Sequence, residues 1–277
     1  MHTSRREFFG TAAILAAPAI ASAAPDKASG LKLGLCSYSF GGKIKLPEVI
    51  QSCKSMGVRS LNIKPEFHLP YDSSPAQIAE ARKMLDDAGI ELAGTGTTYL
   101  TNPDEAEIRQ RFEFNKALGS PLIVIGPTAE TMPTIEKYVK EYNIKVAIHN
   151  HGPSDKHFPT PESALKVIHA MDPRVGLCID IGHTLRAGID PVAAAKDAGP
   201  RLLDMHTKDV RKESDGKWTS VDCGEGNMPL GPLFRYLEKA HYAGHCNLEY
   251  EVSGDGRMLG INKCLAYLRG VLAGLAA

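Results

Sequence analysis

From Leu31 onward the chain repeats one unit eight times: a short apolar run followed by a longer segment of helical periodicity. That alternation is the pattern of a parallel sheet whose strands are joined by crossover helices. The strand candidates are 31–39, 60–66, 91–99, 121–127, 145–152, 175–183, 202–209 and 245–252. Eight is the number at which such a sheet closes into a (β/α)8 barrel. Helical patterns at 46–56, 74–88, 104–118, 133–142, 161–170, 190–198 and 230–241 separate the strands, and a last one near 258–275 closes the ring. Gly57, Gly89, Gly119, Asn143 and Gly199 stand where a helix wants a left-handed terminal residue. The first strand–helix turn has no Gly-x-Gly-x-x-Gly fingerprint, which argues against an open doubly wound sheet. No Pro-, Gly- or Ser-rich linker splits the chain, so one barrel domain over 24–277 is expected.

Residues 1–23 read differently. Ser4-Arg5-Arg6-Glu7-Phe8-Phe9 precedes an Ala-rich apolar run that ends in Ala21-Ser22-Ala23. A positive start, a short apolar run and a small-residue cleavage site make an export leader, too short to span a bilayer stably. The paired arginines followed by Phe resemble a twin-arginine signal, which implies the twin-arginine export machinery as a partner. A soluble periplasmic or extracellular barrel is therefore expected, and a homodimer is left open. The six cysteines show no Cys-x-x-Cys pair, and four of them fall inside apolar strand or helix patterns, where Cys reads as a small buried hydrophobe.

Lys plus Arg equals Asp plus Glu at 32 each, so no overall field favours nucleic acid or an anionic membrane. A small ligand recognised locally fits better. In a (β/α)8 barrel such a site forms at the C-terminal strand ends, and the last four strands are loaded with polar residues there. The fifth carries His149-Asn150-His151, the sixth Asp180-Ile181-Gly182-His183, the seventh His206-Thr207-Lys208-Asp209, and the eighth Glu249-Tyr250-Glu251. Strand side chains alternate faces, so His149 with His151, His206 with Lys208, and Glu249 with Glu251 share faces. Imidazoles and carboxylates converging from neighbouring strands can surround one divalent cation, which removes the cost of burying Asp180 and Glu249 unpaired.

These motifs resemble the xylose-isomerase-like barrels, the sugar phosphate isomerases and epimerases. The likeness spans roughly 31–275, through Asp180-Ile-Gly-His183, His206-Thr-Lys-Asp209, Gly224-Glu-Gly226, and Tyr242-Ala-Gly244 leading into Leu248-Glu249. The resemblance implies a metal held by Glu, Asp, His and Glu from the last four strands, of which Asp180, His206 and Glu249 supply three. It also implies substrate or acid–base roles for His183, His151 and Lys208. The fifth strand departs from the family: His149 stands where relatives have Glu. An imidazole still binds metal and moves protons near neutral pH, but the paired carboxylates of two-base epimerisation are lost. The His149, Asp180, His206, Glu249 set suits Mn, Fe, Co or Zn better than Mg.

The expected reaction is proton abstraction beside a sugar carbonyl, with Glu249, His149, His183 and Lys208 as the acting groups. Isomerisation or epimerisation is the first expectation, and loss or addition of water on keto-sugars or keto-glycosides the alternative. A sugar-binding barrel without turnover is the third. Export points to a non-phosphorylated sugar. Lys64 and His68 after the second strand, and Trp218 in the polar loop after the seventh, are candidate substrate contacts. Tyr38, Phe40 and Tyr99 are candidates for an apolar wall, and His241 and His245 read as structural.

Overall fold

The computed structural model describes residues 30–276. The expected export leader, 1–23, lies outside the described residues. Ten strands form: β1 (Lys32–Cys36), β2 (Ser60–Ile63), β3 (Glu91–Leu100), β4 (Leu122–Pro127), β5 (Lys145–His149), β6 (Val175–Asp180), β7 (Leu202–Thr207), β8 (Asp209–Lys212), β9 (Trp218–Val221) and β10 (His245–Leu248). Eight of them close in the order β1-β10-β7-β6-β5-β4-β3-β2, while β8 and β9 make a separate two-stranded sheet. Every neighbour pair in the barrel is parallel. The expected single (β/α)8 barrel is the observed architecture.

The helices are α1 (Leu46–Ser55), α2 (Pro65–His68), α3 (Pro75–Ala88), α4 (Glu105–Leu118), α5 (Met132–Tyr142), α6 (Pro161–Ile168), α7 (Ile181–Arg186), α8 (Pro191–Ala198), α9 (Leu230–Lys239) and α10 (Arg257–Ala276). Local chemistry explains their ends. Ser74 and Gln77 form a reciprocal capping box before α3, Pro75 opens the helix, and Gly89 ends it in the left-handed region. Asp104 caps α4 by accepting from the Ala106 and Glu107 N–H groups. Phe112, Tyr138 and Phe234 on the helices pack with Leu35, Leu61, Ile63, Ile123 and Ile125 of the strands in one core. Each such fully buried aliphatic or Phe side chain contributes about 1.5–3 kcal/mol.

The differences from the sequence expectation lie at the mouth. Strands expected to run through Glu66, Gly152, His183, Asp209 and Val252 stop earlier, at Ile63, His149, Asp180, Thr207 and Leu248. The residues beyond are polar because they turn the chain: Pro65 starts a short helix, and Asp180 caps α7 by accepting from the His183 N–H. The segment expected as a polar loop after β7 is a hairpin, with Arg211 opposite Thr219 and Lys212 opposite Trp218. Its return loop is tied by Asp209, whose carboxylate accepts from the N–H groups of Gly224, Gly226 and Met228. The six cysteines are buried and free. No helix among the described residues is long and apolar enough to cross a membrane.

Candidate active site

The last barrel strands bring four donors to one height at the mouth. His149 ends β5 and Asp180 ends β6, His206 pairs with Asp180 across β6 and β7, and Glu249 follows β10 directly. His149 Nε2 lies 3.0 Å from His206 Nδ1 and 3.4 Å from Asp180 Oδ2. His206 Nδ1 lies 3.2 Å from Glu249 Oε2. All four side chains are buried.

This convergence is costly without a cation. At most one proton can sit between the two facing nitrogens, and the outer ones, His149 Nδ1 and His206 Nε2, have no hydrogen-bond partner. Burial first, and the neighbouring imidazoles further, push the His149 pKa down to about 3, so this ring is neutral and its lone pair is available. Adjacent donors around an ion held at about 2.0–2.2 Å lie roughly 2.8–3.6 Å apart, from octahedral to tetrahedral arrangements, and the observed spacings fall within that range. The four side chains can therefore hold a metal ion.

Lys208 completes the site from the segment after β7. Its buried ammonium lies 2.8 Å from Asp180 Oδ2, 2.7 Å from Glu249 Oε2 and 2.8 Å from Glu251 Oε2. Burial opposes its charge, but Asp180, Glu249 and Glu251 more than offset that and hold its pKa well above the ordinary lysine value. Reciprocally, burial would raise the acids, yet Lys208 first and the nearby imidazoles next hold Asp180 and Glu249 well below the usual carboxylate range. Three carboxylates against one ammonium leave a net negative charge, which a divalent cation would offset. Gly182 makes room for the lysine: a Cβ there would lie 2.7 Å from the Lys208 Cγ and Cδ atoms.

The polar neighbours fix this geometry. Asn150 accepts from the Asp180 N–H at 3.0 Å and donates to the Thr184 hydroxyl at 3.1 Å, clamping the turn from β6 into α7. His183 stands beside the cluster, its ring centre 6.0 Å from that of His149 and 5.9 Å from that of His151. The His151 ring centre is 4.3 Å from that of His149. Beneath, burial pushes the Cys36 thiol up to about 11 and the Cys178 thiol higher still, so both are protonated. Asp204 is fully buried with its carboxylate bound by the Asn247 amide at 2.9 Å, and burial raises its pKa to about 6.

The structure thus gathers His149, His151, Asp180, His183, His206, Lys208 and Glu249. It places the remaining candidates farther out. Lys64 is buried, donating to the Thr97 carbonyl and pairing with Glu66 at 3.3 Å. His68, at the end of α2, is buried with Nε2 3.1 Å from the Ser37 carbonyl just after β1. Trp218 sits on the β8–β9 hairpin, half-buried against the core, with the Lys212 ammonium 5.7 Å from its ring centre. Phe40 is core, whereas Tyr38 and Tyr99 are exposed. His245 faces Glu91 at the opposite end of the barrel, as expected of a structural residue. Asp155 was not singled out in the sequence. It lies in the loop after β5, and only its spacing of four from His151 hinted at the contact it makes, 3.2 Å from His151 Nδ1.

The chain belongs to the xylose isomerase-like TIM barrel family, whose model matches residues 50–270. It is similar to the rhizopine catabolism protein MocC of Rhizobium meliloti, 27% identical over 256 residues, 76% of each chain. It is also similar to inosose dehydratase of Clostridium perfringens, 24% identical over 226 residues that cover 64% of this chain and 75% of that one. Among solved structures, 3-keto-D-glucoside 4-epimerase from E. coli shares the fold with a TM-score of 0.71 at 15% identity, covering 87% of this chain and 99% of the other.

Proposed function

We propose that this chain is a metal-dependent enzyme that removes a proton from the carbon next to the carbonyl of a non-phosphorylated keto-sugar. The observation that carries this reading is the convergence of His149, Asp180, His206 and Glu249, buried and joined by Lys208, on one point at the barrel mouth. A divalent ion there, of the Mn, Fe, Co or Zn type favoured by two imidazoles, would polarise the sugar carbonyl and acidify the neighbouring C–H. Glu249 is the base: it is kept ionised by Lys208 and stands at the edge of the cluster. Lys208 and His183 hold and move protons on the sugar oxygens, and His151 orients the hydroxyls. The 1–23 leader supports export of the barrel to the periplasm or beyond, where free sugars are met more often than phosphorylated ones.

Dehydration is the second reading. His149 in place of a carboxylate leaves no acidic base on β5, so one face of the sugar can be deprotonated by Glu249 while the other cannot be reprotonated by a matching acid. One-sided proton removal followed by loss of a β-hydroxyl suits that arrangement, and the inosose dehydratase relative supports it. Keto-sugars incubated with the metal-loaded protein in D2O separate the readings. Deuterium entering the carbon beside the carbonyl, lost in Glu249→Gln, supports proton abstraction. Recovered sugar that carries the label supports isomerisation or epimerisation, and an unsaturated product supports dehydration. No exchange and no product across a keto-sugar panel contradicts both.

A further inference from the structure

Among the described residues only one pair of cysteines hydrogen-bonds to each other, Cys223 in the loop after β9 and Cys264 on α10, 41 residues apart in sequence. The Cys223 N–H donates to the Cys264 sulfur at 3.1 Å. With an N–Cα bond of about 1.46 Å, that contact puts the Cys223 Cα within about 4.6 Å of the Cys264 sulfur. A hydrogen bond between the two thiols is the largest influence on each, holding the Cys264 pKa below and the Cys223 pKa well above the ordinary thiol value. A disulfide needs Cα atoms roughly 4.4–6.8 Å apart, a span this contact allows.

The contacts on either side align the same two segments. Lys263 pairs with Asp222 at 3.2 Å, and Tyr267 lies over Gly224, where a Cβ would come within 2.4 Å of the tyrosine ring. Asp222, Cys223 and Gly224 are thus matched in order to Lys263, Cys264 and Tyr267, so the fold holds the two sulfurs together before any bond joins them. The pair also lies close to solvent. Both thiols are buried, but Gly224 and Glu225 beside Cys223 are exposed, so lifting a short surface segment uncovers the sulfurs. Cys36, Cys178 and Cys246 belong to barrel strands and Cys53 to α1.

We propose that Cys223 and Cys264 are a disulfide-forming site that joins the loop after β9 to α10 when the protein meets an external disulfide such as oxidised glutathione. The Cys264 thiolate, favoured by the Cys223 N–H at its sulfur, attacks one sulfur of the external disulfide and expels a thiolate. Cys223 then gives up its proton and attacks the Cys264 sulfur of the mixed disulfide, expelling the second thiolate. The protein loses two protons and two electrons, and the external disulfide becomes two thiols. Export of the barrel, as proposed from its leader, would bring it into a compartment where such bonds persist.

The bond bears on the candidate site through Asp209, whose carboxylate accepts from the Gly224 and Gly226 N–H groups and which follows Lys208 in the chain. Joining the loop to α10 therefore clamps the segment from which Lys208 reaches Asp180 and Glu249.

The full chain, equilibrated with oxidised or with reduced glutathione, then denatured, alkylated and mapped by mass spectrometry, tests this. Of the six cysteines, all should be alkylated in the reduced sample. The oxidised sample should lack alkylation at Cys223 and Cys264 and yield one cross-linked peptide pair that contains both. The melting temperature should be about 5–10 °C higher oxidised than reduced, a difference that Cys223→Ala removes. Amide hydrogen exchange at Gly224 and Gly226 should slow at least fivefold on oxidation.

Complete alkylation after oxidation, glutathione adducts alone, or a cross-link between other cysteines overturns the site. The mapping uses wild type, so it decides the matter even if Cys223→Ala does not fold. A Cys223–Cys264 bond that leaves the melting temperature and the amide exchange unchanged keeps the disulfide and overturns the clamp.

Discussion

The two halves of the barrel mouth solve opposite problems. Strands β5, β6, β7 and β10 end in or beside side chains that are buried and charged or lone-pair bearing, whereas β1, β2 and β3 lead into aromatic rings, two of which remain in solvent. In the first half each group is placed by electrostatics: Lys208 lies within 2.8 Å of Asp180, Glu249 and Glu251, and the neighbouring imidazoles add to its hold on the two buried acids. In the second half each ring is placed by stacking and by hydrogen bonds at its edge, as Tyr99 is by His151. His151 belongs to both halves, touching His149 on one side and Tyr99 on the other.

Substitutions should break the two halves differently. The largest effect is expected from Glu249→Gln, which removes the base and a metal donor together. Turnover in the deuterium-exchange assay should fall about 10²–10⁴-fold, while Tyr38→Ala, in the other half, leaves exchange into a monosaccharide within a few-fold of wild type.

Lys208→Met comes next. Without the ammonium the buried Asp180 and Glu249 lose their main counter-charge, and the metal-free protein should lose about 3–5 kcal/mol in denaturant unfolding. Adding a divalent metal should restore much of that loss, since the cation takes over the neutralisation. Full stability of the metal-free variant would show that the carboxylates do not depend on Lys208.

The third effect is a pH dependence. Burial raises the Asp204 pKa to about 6, above its value in the unfolded chain. Such an acid binds more protons folded than unfolded, so stability falls as pH rises from about 4 to 6 and stays lower above that. Asp204→Asn should flatten this part of the stability–pH curve. Asp180 and Glu249 act oppositely, since their pKa values are depressed on folding. Their contribution is full above the unfolded carboxylate pKa and is lost as pH falls through their folded values.

The smallest effect is expected from Trp218→Ala. Its ring lies on the β8–β9 hairpin with Lys212, so exchange should change less than about threefold if the hairpin only frames the mouth. A larger loss would add Trp218 to the substrate contacts.

Much of the charged half was legible in the sequence because its motifs fall at strand ends of a barrel whose count and order were clear. An apolar run followed by His149-Asn150-His151, or by Asp180-Ile181-Gly182-His183, marks position as well as chemistry. The strand boundaries were less legible: period-two patterning continues across a turn whenever the turn residues alternate by chance, so Ile181 to His183 read as strand although Asp180 ends β6 and caps α7 there.

The hairpin was missed because β8 and β9 are only four residues each, β8 mostly charged and β9 partly polar, with little of the apolar alternation that signals a strand. The aromatic half was legible least. Tyr99 and Gly126 meet only through β3–β4 register, and a register shift between Thr95 and Thr98 on β3 cannot be read from one sequence. Asp155 reached His151 through a loop whose path no local pattern dictates.

Elemental analysis of the purified protein, wild type beside His149→Ala and His206→Ala, tests the metal site most directly. About one transition-metal ion per chain is expected in wild type, lost in both variants while the fold, followed by circular dichroism, is retained. No metal in wild type, with none regained on incubation with Mn, Fe, Co or Zn, would contradict it and leave the buried donors to Lys208 alone.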